Sequence, residues 1–130
     1  MHDTIKQCLE PDGVLAQLFS QYEFRPQQLQ MALDISSTLD SEAGLFLAEA
    51  GTGTGKSLAY LIPAALKLSN VIVSTGTKTL QEQLINKDIP LLNKMLEQPV
   101  KAALVKGRQN YLCTRRFQQF QDRPEFQSVA

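Results

Sequence analysis

Apolar positions along the chain fall into two kinds of run that alternate. In "GVLAQLFS" (13–20), Val14, Leu15, Leu18 and Phe19 share one helical face. Pro26 suits the first turn of a second helix, with Leu29, Met31, Leu33, Ile35 and Leu39 mostly on its inner side. "GLFLA" (44–48) is short, continuous and bounded by a glycine, as a buried strand is. A helix is expected from about Lys56 to Leu68, kinked at Pro63, which has no amide for the preceding turn. "NVIVST" (70–75) reads as a second buried strand, "KTLQEQLIN" as a helix, and "IPLLNKMLE" as a short helix restarting after Pro90. "KAALV" (101–105) reads as a third strand and "NYLCTRRFQQFQ" as a helix, whereas "DRPEFQSVA" shows no closing element.

Strands that are apolar throughout, alternating with helices, predict an α/β domain whose parallel sheet is covered by helices on both faces. At 130 residues the chain is long enough for one such domain and short for two. There is no internal repeat.

Composition changes this picture little. No apolar run approaches a membrane span, and the N-terminus lacks the basic start and apolar stretch of a secretory signal, so the expected location is the cytosol and no membrane partner is implied. Net charge is zero but unevenly spread: residues 1–50 carry eight acidic and two basic side chains. Residues 101–130 carry Lys101, Lys106, Arg108, Arg115, Arg116 and Arg123 against Asp122 and Glu125. This permits a nucleic-acid surface at the C-terminal end, although charge alone fits an ordinary solvated helix face as well. Cys8 and Cys113 lie far apart and form no ligand cluster, and a disulfide between them is not expected in the cytosol.

The chemistry concentrates in "AGTGTGKS" (50–57), between an apolar run and a helix. It follows the phosphate-loop pattern except for Ala50 at its first position. Gly51, Gly53 and Gly55 permit backbone angles that let successive amides, including those of Thr52 and Thr54, face phosphate oxygens. The start of the following helix adds its positive end. Lys56 supplies a full charge for the β- and γ-phosphates, and the Ser57 hydroxyl is placed to ligate magnesium. A nucleotide and Mg2+ are therefore expected here, with Lys56 and Ser57 closest to the chemistry.

A phosphate loop alone does not separate kinases, GTPases, transporters and helicases. Three further segments, "YEFRPQQLQMA" (22–32), "STGTKTLQEQL" (74–84) and "LVKGRQNYLC" (104–113), make the chain resemble the iron–sulfur superfamily 2 DNA helicases of the DinG/XPD type, from about residue 13 to residue 120. The resemblance implies a RecA-like P-loop NTPase domain, present in part: an approach over residues 1–25, a core over 26–105, and the start of an iron–sulfur insertion over 106–130. It implies that Arg25 and Gln28 belong to a Q motif in which the Gln28 amide reads the adenine edge, so that the nucleotide is ATP; without the resemblance Gln28 would be an exposed helix residue. It implies that Thr75, Thr77 and Gln83 hold the backbone of single-stranded or forked DNA, while Thr77 is equally suited to capping a helix. Cys113 resembles the first of four cysteines around a [4Fe–4S] cluster, which the resemblance implies only for a longer chain that carries the other three; taken alone it would be a free or buried thiol. Lys106, Arg108, Arg115 and Arg116 would then flank a DNA path.

ATP hydrolysis in this class also needs a carboxylate at the end of a neighbouring strand. "VIVS" and "AALV" end without one, Glu49 follows the run that feeds the loop itself, and Asp88 lies after a helix. The leading expectation is thus the nucleotide-binding N-terminal fragment of an ATP-dependent DNA helicase, of 5′-to-3′ polarity, acting in DNA repair or replication. By itself it is expected to bind ATP weakly and to hydrolyse it negligibly. Two other readings stand beside it: a non-catalytic nucleotide- or DNA-binding remnant, and a small self-contained P-loop kinase.

Overall fold

The computed structural model describes residues 1–42 and 44–122; the segment 123–130, with Arg123 and Glu125, lies outside the described residues. Seven α-helices follow in order: α1 (His2–Leu9), α2 (Val14–Leu18), α3 (Pro26–Asp40), α4 (Lys56–Lys67), α5 (Lys78–Gln83), α6 (Ile89–Met95) and α7 (Thr114–Asp122). A π-helical turn, Leu84–Asp88, joins α5 to α6, and a short 3-10 turn spans Arg108–Asn110.

The expected α/β architecture with a parallel sheet is not what forms. No strand occurs among the described residues. A strand exists through its neighbours, since each backbone amide and carbonyl needs a partner across a ladder, and a parallel sheet needs both faces covered as well. The runs 44–48, 70–75 and 101–105 have neither. Leu47 is 84% exposed, Ile72 97% and Val105 76%. Their composition fitted a buried strand, but the helices turn their apolar faces to one another and leave these runs uncovered.

The core is built where α3 lies along α4, with α1 packed on α3, α6 on α4, and Cys8 of α1 meeting Met95 of α6. α1 contributes Ile5, Cys8 and Leu9, at the i, i+3, i+4 spacing of one helical stripe. α4 contributes Leu58, Ala59, Leu61, Ile62 and Pro63, and the helix continues through the proline. The innermost line of α3 is Gln28, Ala32 and Ser36 rather than its larger apolar side chains, of which Leu29, Met31 and Leu33 pack alongside. Small side chains four residues apart let two helix backbones approach closely, which explains why the line is not leucine.

Two polar contacts close the ends. The Tyr22 hydroxyl donates to the Leu9 carbonyl at 2.6 Å, tying the chain before α3 to the end of α1. Asn93 of α6 pairs both ways with Val100, donating to its carbonyl at 3.2 Å and accepting from its amide at 2.7 Å. The break expected before Pro90 is absent. The Ile89 amide reaches back to the Leu84 carbonyl, a five-residue step that widens the turn where the proline ring would crowd a regular helix.

Candidate nucleotide-binding site

The glycine-rich loop that the sequence suggests for phosphate runs from Ala50 into α4, whose first residue is Lys56. Its backbone turns twice through the left-handed region, at Gly53 (φ +80°) and Gly55 (φ +79°). Alternation of left- and right-handed residues swings consecutive peptide groups so that amides gather on one side and carbonyls on the other. The backbone amides of residues 51–55 donate to no backbone carbonyl among the described residues. The carbonyls of Ala50, Gly51, Gly53 and Gly55 accept from side chains, that of Gly55 also from the Ala59 amide. Lys56 Nζ donates to Ala50 O and, at 2.7 Å, to Gly51 O. Thr54 Oγ1 donates to Gly51 O at 3.0 Å, and Arg25 Nη1 to Gly53 O at 2.7 Å. Gln28 Nε2 donates to Gly55 O at 2.9 Å.

Residues named from the sequence as a nucleotide set therefore do meet. Arg25 stands immediately before α3 and Gln28 in its first turn, and both reach the loop at the start of α4. Gln28 is 4% exposed. It separates two hollows: one of about 400 Å³ bordered by Phe19, Tyr22, Arg25 and Gly55, and one of about 570 Å³ bordered by Phe46, Ala48, Glu49 and Thr54. The aromatic pair Phe19 and Tyr22 was missed in the sequence as part of a site; their position just ahead of Arg25 was the available signal. Ser57, half-buried, stands beside Tyr60, whose phenol burial pushes up against a smaller opposing effect of the Ser57 hydroxyl.

The residues expected to face DNA lie elsewhere, around α5. Thr77 caps that helix, accepting from the Leu80 amide at 3.2 Å, and Thr75 Oγ1 donates to Thr77 O at 3.1 Å. Gln83, at the far end of α5 and exposed, donates to Asp88 at 3.4 Å. Lys106 joins this helix through Glu82 at 2.9 Å, and that ammonium holds the Glu82 carboxyl below its ordinary value. Gln81 Nε2 donates to Val105 O at 3.4 Å, and the Lys106 amide to the Tyr111 hydroxyl at 2.8 Å. The basic segment thus leans on α5.

Cys113 is an exposed free thiol just before α7, and Cys8 is buried under α6. These are the chain's two cysteines, and no group of three metal-ligating side chains occurs among the described residues. An iron–sulfur cluster takes four thiolates, so these residues do not make a cluster site.

The chain is 45% identical over 109 residues to "ATP-dependent DNA helicase YoaA" of Escherichia coli, covering 84% of this chain and 17% of that protein. It is 41% identical over 122 residues to "ATP-dependent DNA helicase DinG" of Photobacterium profundum, covering 88% and 17%. The chain belongs to the YoaA/DinG helicase family. It is also 39% identical over 112 residues to "3'-5' exonuclease DinG" of Bacillus subtilis, covering 83% of this chain and 12% of that protein. The chain thus spans between an eighth and a sixth of the length of these curated relatives, whose printed activities are not all the same. No family model and no solved structure matches it. Among the described residues no helix is long and apolar enough to cross a membrane.

Proposed function

We propose that this chain is the nucleotide-gripping segment of an ATP-dependent DNA helicase. The observation that supports this most directly is the convergence of Arg25, Gln28 and Lys56 on one glycine-rich loop, within a stretch 45% identical to a DNA helicase. The loop amides and the first turn of α4 provide a concave anion site. Lys56 gives up two neutral carbonyl acceptors for phosphate oxygens, which exchanges attraction to a dipole for direct attraction between opposite charges. The hollow lined by Phe19 and Tyr22 suits a flat base, with the free Oε1 and second Nε2 hydrogen of Gln28 reading the adenine edge. Magnesium bound with the polyphosphate would screen its charge, and Ser57 is the residue here that would hold it.

For the DNA, Thr75 and Thr77 just ahead of α5 and Gln83 at its far end offer polar groups, with Lys106 adjacent. These suit the backbone of single-stranded or forked DNA, held without reading its bases. Unwinding with 5′-to-3′ polarity, in repair or replication, is the activity of which this grip is one part.

The test is calorimetric titration of the 130-residue chain with magnesium-ATP, beside Lys56→Ala. Binding that the substitution abolishes supports the proposal. Equal heats from both chains would refute it.

A further inference from the structure

Gln28 is almost wholly buried, and what its amide holds is not a ligand but the loop. A side chain at position 55 would place its Cβ 2.2 Å from Gln28 Nε2 and 2.7 Å from Gln28 Cδ. The amide fills the space that the missing side chain leaves and donates to the carbonyl of the same glycine. Arg25 donates from the exposed side to the Gly53 carbonyl at 2.7 Å, without filling the place of a Cβ there. The two glycines so held are the two with positive φ in the loop, whose peptide orientations decide where the amides point.

We propose that Arg25 and Gln28 are positioning residues that brace the phosphate loop through its carbonyls, so that they tune affinity for the polyphosphate whatever base it carries. The first turn of α3 acts as a splint, fixing the loop's orientation before any ligand arrives. Preorganised donors bind more tightly because the cost of ordering them falls on folding. This rests on the nucleotide reading above and adds to the contact with adenine: one Nε2 hydrogen serves the loop, the other serves the base.

The experiment compares the chain with Gln28→Met, which keeps length and loses the donor, and with Arg25→Met. Magnesium-ATP, magnesium-GTP and magnesium-tripolyphosphate are titrated in parallel. Backbone order parameters of residues 51–55 are measured by 15N relaxation without ligand. A brace predicts that Gln28→Met weakens tripolyphosphate roughly fivefold, the scale of one hydrogen bond. ATP and GTP weaken at least as much, and the loop order parameters fall from about 0.85 toward about 0.6 while those of α4 hold. Unchanged tripolyphosphate affinity and unchanged loop order, with ATP alone weakened, would leave Gln28 a base reader and overturn the brace. If the parent chain binds none of the three ligands, the nucleotide reading fails, and the order parameters still decide the brace. If Gln28→Met does not fold, Arg25→Met carries the same comparison from the exposed side.

Discussion

Replacing Gly55 by alanine should be the most damaging single-methyl change in the loop, and the structure says by how much. Two costs add. A residue with a Cβ held at φ +79° loses about 1–2 kcal/mol relative to glycine. The new methyl also lands on Gln28, 2.2 Å from its nitrogen, and the amide must leave its place against the Gly55 carbonyl. Displacing a buried donor from its partner costs about 1–3 kcal/mol. The sum is roughly 2–5 kcal/mol, which at about 4 °C per kcal/mol lowers the melting temperature by roughly 8–20 °C. The neighbouring glycines are internal controls. Gly53→Ala meets the same backbone penalty at φ +80° with nothing within 4 Å, so it should cost only about 1–2 kcal/mol. Gly51→Ala meets neither and should be close to neutral. Melting followed by circular dichroism at 222 nm gives the three values. In the double variant Gln28→Ala with Gly55→Ala the clash is gone, so its loss should fall short of the sum of the single losses. Equal losses at Gly53 and Gly55, or strict additivity in the double variant, would refute the account of how the two positions meet.

Ser36 is fully buried in α3 and its hydroxyl has no partner, so Ser36→Ala should raise the urea midpoint, by about 1 kcal/mol in stability. Burial pushes the Cys8 thiol above its ordinary value of 9.0, so the folded chain keeps the proton that the unfolded chain releases. Stability should be intact below pH 9 and fall as pH rises beyond it, and Cys8→Ala should flatten that alkaline slope in denaturant titrations. Lys106→Ala should return the Glu82 carboxyl upward toward 4.5, read by NMR titration of its side-chain carbon, with no effect on the loop. Thiol labelling of the native chain should modify the exposed Cys113 quickly and Cys8 only on unfolding.

The loop was legible because its chemistry is local. Glycines where the backbone must turn left-handed, and a lysine at a helix start, show in a short window. α3 is expected from Pro26, although its innermost line is not the apolar set read from the sequence, and α4 is expected as the helix that follows the loop, with Pro63 inside it. α1 was passed over because "HDTIKQCL" has just three inward residues, which are held by contacts of Cys8 with Met95 and of Leu9 with Tyr22 that no local window contains. The buried place of Gln28 was hidden for the same reason: an amide pays its burial cost only against a carbonyl 27 residues away. The sheet was the largest error. Apolar runs such as "VIVST" say that a segment would fit a covered, paired environment, and say nothing of whether the rest of the fold provides one.

Those uncovered runs have a practical side. Residues 44–48 and 70–75 are short, rich in branched or aromatic side chains, free of proline and in water, the profile of segments that drive aggregation. Charges beside such runs usually keep copies apart, but here they oppose that purpose. Glu42 and Glu49 bracket the first run, whereas Lys78 follows the second and Lys67 ahead of it is paired with Asp40, so Lys78 attracts rather than repels the acidic ends of another copy's first run. Clumping, more than loss of folding, then limits how concentrated a solution of this chain can be made, and a gatekeeping charge such as Ile72→Lys would raise that limit.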